Sequence, residues 1–178
     1  VGVLLLAFAA PVFAADMLPT PARTAAQGTG PYPSLVIRGV TIIQGDGAPP
    51  YGPADIVIEG GRIAAINIAG TPGLPMRPDR KPQDATREID ATGMFVLPGF
   101  VDMHGHNGDP QKSPDPSYAY KLWLAHGVTT VRGVSLYDDT AHALSDKRRS
   151  AANSIVAPHL YVYETLGSGW SKGAVTTP

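Results

Sequence analysis

An apolar run from Phe95 to Met103 ends on His104-Gly105-His106, and no other stretch constrains the fold as tightly. A near-continuous apolar strand is the mark of a parallel sheet buried on both faces. Side chains alternate along a strand, so His104 and His106 point the same way. Asp102 shares that face, one layer deeper. Two imidazoles delivered to one point suit a divalent metal. The spacing by itself is common by chance, so its surroundings have to decide.

Those surroundings alternate strand with helix. Asp115-Pro116 opens a helix, with Asp as N-cap and Pro in the first turn. Tyr118, Leu122 and Ala125 repeat at helical spacing, and Gly127 closes the element. Val128–Val131 reads as the next strand. Asp138 or Asp139 caps a second helix running to about Asn153, with Ala141, Leu144 and Ala152 expected on its inner side. His159–Tyr163 reads as a third strand. This order implies right-handed parallel units. The expected fold class is α/β: the first three strands of a (β/α)8 barrel, occupying residues 94–178. A complete barrel needs roughly 250 residues. About 80 follow Met94 here, enough for three strands and two helices at the length of such units. The expectation is therefore a piece of a longer enzyme, truncated at both ends.

Residues 35–93 read as part of a small β-sandwich. Leu35–Ile43 is β-branched and strand-like. Asp55–Glu59 and Arg62–Ile66 form a hairpin across Gly60-Gly61, a pair that accepts positive φ. Glu88-Ile89-Asp90 adds a short strand, and Thr92-Gly93 a turn. Residues 15–34, rich in Pro, Gly, Ala and Thr, read as a flexible linker. Val1–Ala10 is apolar but too short to span a bilayer. With small residues before Ala14 it reads as a secretory signal over residues 1–14, which predicts a periplasmic or secreted location and no stable membrane anchor.

The balance of charge narrows the partners. A net charge of −1 provides no field to attract nucleic acid. Lys147-Arg148-Arg149 reads as a solvated late helical turn complementing the macrodipole. The absence of cysteine excludes disulfides, thiolate metal sites and a catalytic thiol.

Three motifs then resemble one family. Pro98-Gly99-Phe100-Val101-Asp102-Met103-His104-Gly105-His106 resembles the first barrel strand of the amidohydrolase superfamily. Gly127-Val128-Thr129-Thr130-Val131-Arg132 is similar to its second strand. Ile56–Ile66 is similar to the hairpin that these enzymes carry before the barrel. The motif set looks closest to the imidazolonepropionase-like and prolidase-like branches.

The resemblance implies a metal-dependent hydrolase of carbon–nitrogen bonds, working through metal-activated hydroxide. It assigns His104 and His106 as ligands of a divalent metal, zinc above all given imidazole ligands, with one or two ions. The family's remaining site residues belong to later strands, so no catalytic residue is assigned within this stretch. The implied partner is a small-molecule or short-peptide substrate, a cyclic amide or an Xaa-Pro peptide, with homo-oligomers allowed. The same scaffold serves deamination and phosphotriester cleavage, and fold does not fix reaction.

Asp102 orients an imidazole N–H, or is a carboxylate bonded to backbone or to Arg132. Arg132 pairs with Asp102 or with a substrate carboxylate. It is followed by Gly133, where the family frequently has aspartate. Asn107 is a turn residue or a substrate contact. Glu164 and Trp170 belong to the loop after the third strand, where Trp170 lines a pocket or covers the rim. His126, His142 and His159 have no partner at ligand spacing and read as structural or exposed. The rival to an enzyme is a naturally truncated, non-catalytic binding or interaction module, with the β-sandwich as its folded part.

Overall fold

A computed structural model describes residues 17–74, 79, 85–109, 113–133 and 140–163. The expected signal segment, the cap at Asp138 or Asp139, Glu164 and Trp170 lie outside the described residues. The chain divides into two units, Arg23–Phe100 and a second formed by Val1–Ala22 with Val101–Pro178.

The Arg23–Phe100 unit is a mixed sheet of β1 (Ser34–Ile42), β2 (Tyr51–Glu59), β3 (Arg62–Ile68), β4 (Arg87–Asp90) and β5 (Phe95–Val96). The strand order is β3-β2-β1-β4, with β5 also on β1. β1 and β2 run antiparallel, as do β2 and β3. β4 and β5 join β1 in parallel. The hairpin forms where expected: Glu59 pairs with Arg62, and Gly60 and Gly61 both take positive φ. This two-residue turn matches the twist of its strands. Val40, Ile42, Ala54, Ile56 and Ala91 form the core.

The β1–β2 register shifts between Ile37 and Val40, at Gly39 with φ 71°. Such a bulge leaves ladder groups unpaired. Asp55 fills the gap, accepting from the Gly39 N–H at 2.9 Å and from Arg38 at 3.1 Å. Arg38 also donates through Nε to Glu88 on β4 at 2.7 Å. The hydrogen bond to Glu88 raises the guanidinium's pKa above its ordinary value, against the opposing effect of burial.

The apolar run Phe95–Met103 does not form one strand. It breaks at Leu97-Pro98-Gly99 into β5, which pairs with β1, and β6 (Phe100–Gly105), which belongs to the second unit's sheet. Pro98 has no N–H to give a ladder, and the domain division falls just beyond it, at Phe100/Val101. The division was expected after Gly93. Residues 94–96 stay with the first unit because the Thr41 N–H bonds Met94 O and the Ile43 N–H bonds Val96 O.

In the second unit, β6, β7 (Val128–Gly133) and β8 (His159–Val162) make a three-stranded sheet, with α1 (Pro116–Ala125) and α2 (Thr140–Ala151) between successive strands. β7 and β8 are parallel. This is the expected opening of a β/α barrel. Burial on both faces of β6 does not hold. β6 lies at the sheet edge, and Phe100, Val101 and Met103 are exposed.

Asp115 caps α1 as expected, accepting from the Ser117 N–H at 2.9 Å. The buried face of α1 differs from expectation. Tyr118 and Leu122 are exposed, whereas Tyr120 is fully buried. Tyr120 packs with Val131, Ile155 and Leu160, and Trp123 joins them. The two rings three residues apart fill the space over β7 and β8, which turns Tyr118 and Leu122 to the outer side. On α2 the inner positions are Ala143, Asp146 and Ser150, not Ala141, Leu144 and Ala152. Part of the segment read as a linker is packed as well: Met17 and Thr20 are buried. Among the described residues no helix is long and apolar enough to cross a membrane.

Candidate metal centre

β6 brings its end against β7. A Cβ on Gly105 would lie 2.6 Å from Val131 Cγ1 and 2.8 Å from Trp123, so this position faces the helix-covered core and admits only glycine. The alternate face carries His104 and, just past the last strand residue, His106. Their Nε2 atoms are 3.2 Å apart, and their rings meet edge to face at 76°.

That separation can be tested against a metal. Two imidazole nitrogens about 2.05 Å from one tetrahedral ion lie ~3.3 Å apart. The observed pair fits this closely. Both rings are exposed. Among the described residues no group of three or more His, Cys, Asp or Glu gathers here.

Asp102 takes the backbone alternative. Its Oδ1 accepts from the His104 N–H at 3.0 Å, which stiffens the turn of chain entering the histidines. Arg132 pairs with neither Asp102 nor another carboxylate among the described residues. Its guanidinium lies 4.4 Å over the Tyr163 ring. The Tyr163 hydroxyl in turn stands 3.4 Å from His104 Nδ1, a long contact. If Nε2 holds the metal, Nδ1 carries the proton and donates to Tyr163, which fixes the tautomer. Val101, Met103, Thr130, Arg132, Tyr161 and Tyr163 line an open, largely apolar cleft of about 400 Å³.

The chain is similar to known proteins over part of its length. No protein-family model matches the chain. It is 35% identical over 98 residues to an N-acyl-D-aspartate deacylase of Alcaligenes xylosoxydans xylosoxydans, covering 54% of this chain and 16% of the relative. It is 28% identical over 131 residues to a dihydroorotase of Mycobacterium tuberculosis, covering 72% of this chain and 24% of the relative. The solved structure of an Xaa-Pro dipeptidase with bound methionine shares the fold, with TM-score 0.52 at 23% identity over 74% of this chain and 33% of the other. The chain is thus similar to these two relatives over a quarter or less of their length, and shares the fold of the dipeptidase.

Gly133 has a local cause. It takes φ 126°, and a Cβ there would lie 2.5 Å from the Gly105 carbonyl oxygen. Aspartate, frequent in the family after the second-strand arginine, does not fit this backbone.

Asn107 is neither an exposed turn residue nor a cleft residue. It is buried, and its Nδ2 donates to the Tyr120 hydroxyl at 3.1 Å. That hydroxyl donates to Asp146 Oδ2, also at 3.1 Å. Asp146 further accepts from Thr20 and from Arg149, the latter at 3.3 Å, and His142 Nε2 lies 3.2 Å from its Oδ2. Burial, then the Asp146 charge, push the Tyr120 phenol well above the ordinary tyrosine range. The hydroxyl therefore stays protonated and donates. No periodicity pointed to this cluster. The one available signal was Asp146 itself, a carboxylate on the same helical row as Ala143 and Ser150.

The remaining histidines take structural or exposed positions. His126 Nδ1 is 2.8 Å from Leu122 O at the end of α1, His142 faces Asp146, and His159 is exposed at the start of β8. In the basic run, Lys147 and Arg148 are exposed, while Arg149 bonds Asp146.

Proposed function

We propose that this chain forms part of an exported, metal-dependent amidohydrolase that cleaves carbon–nitrogen bonds in cyclic amides or Xaa-Pro-type peptides. The observation that carries the reading is the 3.2 Å approach of the two Nε2 atoms at a strand end. His104 and His106 hold a divalent ion, with zinc favoured by imidazole donors. When bound, the ion supplies Lewis acidity and lowers the pKa of water.

The chain's own residues position the substrate. Arg132, stacked on Tyr163, lines the cleft, and its guanidinium suits a substrate carboxylate. Tyr163 holds the His104 ring. Relatives named as a deacylase and a dihydroorotase support amide-type chemistry, and the likeness to an Xaa-Pro dipeptidase supports the fold that carries it. The apolar segment ahead of Ala14 supports export.

The test uses the full-length protein loaded with Zn2+. Release of proline from Xaa-Pro dipeptides and ring opening of cyclic amides are followed, with and without chelator. Turnover that is lost on chelation and in both His104→Ala and His106→Ala supports the proposal. Turnover indifferent to chelator and to both substitutions overturns it.

A further inference from the structure

β6 ends at Gly105, so His106 lies beyond the last ladder position and needs another restraint. The next residue supplies it. Asn107 turns inward, is 3% exposed, and bonds the Tyr120 hydroxyl. Tyr120 is fully buried on α1, and its ring is immobilised by Val131, Ile155 and Leu160. The hydroxyl is anchored on Asp146, whose carboxylate is held by Thr20 from the segment before the first unit and by Arg149 on its own helix. A Cβ on Gly108 would come within 2.6 Å of Ser113 O, and Asp109 and Ser113 exchange backbone hydrogen bonds.

We propose that Tyr120 is a positioning residue for His106: its hydroxyl, anchored on Asp146, holds Asn107 and so the backbone that carries the second imidazole. This inference rests on the reading of His104 and His106 as metal ligands. Hydrogen-bonded groups beyond a ligand commonly change metal affinity by roughly 10–100-fold, and here the effect passes through one backbone step.

The test measures Co2+ affinity and the Co2+ ligand-field spectrum in the full-length protein. Tyr120→Phe keeps the ring and removes the hydroxyl, and Asn107→Ala removes the other partner and decides the matter should the first variant not fold. Ser150→Ala is the control, because it removes a buried hydrogen bond to Pro158 O that lies outside the Asp146–Tyr120–Asn107 network.

The expected result is about tenfold weaker Co2+ binding with a shifted spectrum for Tyr120→Phe and Asn107→Ala. Ser150→Ala lowers the melting temperature and leaves binding unchanged. Wild-type affinity and spectrum in both Tyr120→Phe and Asn107→Ala overturn the proposal. Should His104→Ala and His106→Ala bind Co2+ as well as wild type, the ligand reading itself fails. The positioning claim is then read from the NMR signals of the His106 ring in the metal-free protein. A shift in Tyr120→Phe supports it, and unchanged signals overturn it.

Discussion

Gly133 meets Gly105 backbone to backbone: a Cβ on Gly133 would lie 2.5 Å from the Gly105 carbonyl oxygen. The contact closes β7 onto β6 one residue before His106. The left-handed φ of 126° adds a second requirement for glycine. Gly133→Ala is expected to cost about 1–3 kcal/mol through strain and displaced backbone. Thermal unfolding checks this, and a melting temperature equal to wild type would contradict it. Gly133→Asp, which restores the residue frequent in relatives, is expected to be at least as destabilising.

Arg132 stands over Tyr163 with no carboxylate partner among the described residues. On the reading of the cleft as a carboxylate site, Arg132→Met raises KM for substrates bearing a carboxylate by about tenfold or more, as loss of a charge-assisted hydrogen bond implies. Zn2+ content stays as in wild type. Steady-state kinetics beside metal analysis separates this from damage to the metal centre. An unchanged KM would remove Arg132 from the substrate site.

Arg38 joins β1 to β2 and β4 through Asp55 and Glu88. Asp55 is buried, so Arg38→Met leaves its charge without the guanidinium. Breaking a buried pair from one side typically costs about 3–5 kcal/mol. Glu88 is half exposed, which places the expected loss at the lower end, about 3 kcal/mol. Urea unfolding followed by circular dichroism reads it directly. A loss well under ~1 kcal/mol, the range of surface pairs, would show that the triad is solvated.

Tyr120 makes stability depend on pH only in the alkaline range. Its folded pKa is raised by burial and by Asp146, while in the unfolded chain tyrosine ionises near 10. The protonated form is the one favoured by the fold, so its contribution is fully present below pH ~10. Above that the unfolded chain releases a proton that the folded chain keeps. Stability from this group then falls by about 1.4 kcal/mol per pH unit. Unfolding midpoints measured from pH 8 to 11 should show this slope in wild type and a shallower one in Tyr120→Phe. Equal slopes would mean that Tyr120 is not shielded from solvent in the folded state.

Local features were legible in the sequence because their causes are local. The Gly60-Gly61 hairpin, the Asp115 cap and the closeness of His104 to His106 each depend on a few adjacent residues and on the period of the element. The β/α alternation was legible for the same reason. The inner faces of α1 and α2 were not. Tyr118 and Leu122 fit a helical repeat as well as Tyr120 and Trp123 do, and only the space over β7 and β8 selects the second pair. Asp146 was read as no more than part of a helix, yet it is buried because Tyr120 and Thr20 come to it from other segments.

The order of strands and helices, the β-hairpin and the closeness of His104 to His106 follow from the amino-acid order alone, since backbone periodicity and turn chemistry act within a few residues. Tertiary structure decided where the apolar run breaks, which helix faces are buried, why position 133 is glycine, and what anchors the chain beyond His106. Those outcomes rest on contacts such as Thr20 with Asp146, 126 residues apart, and such pairings exist only once the chain has closed on itself.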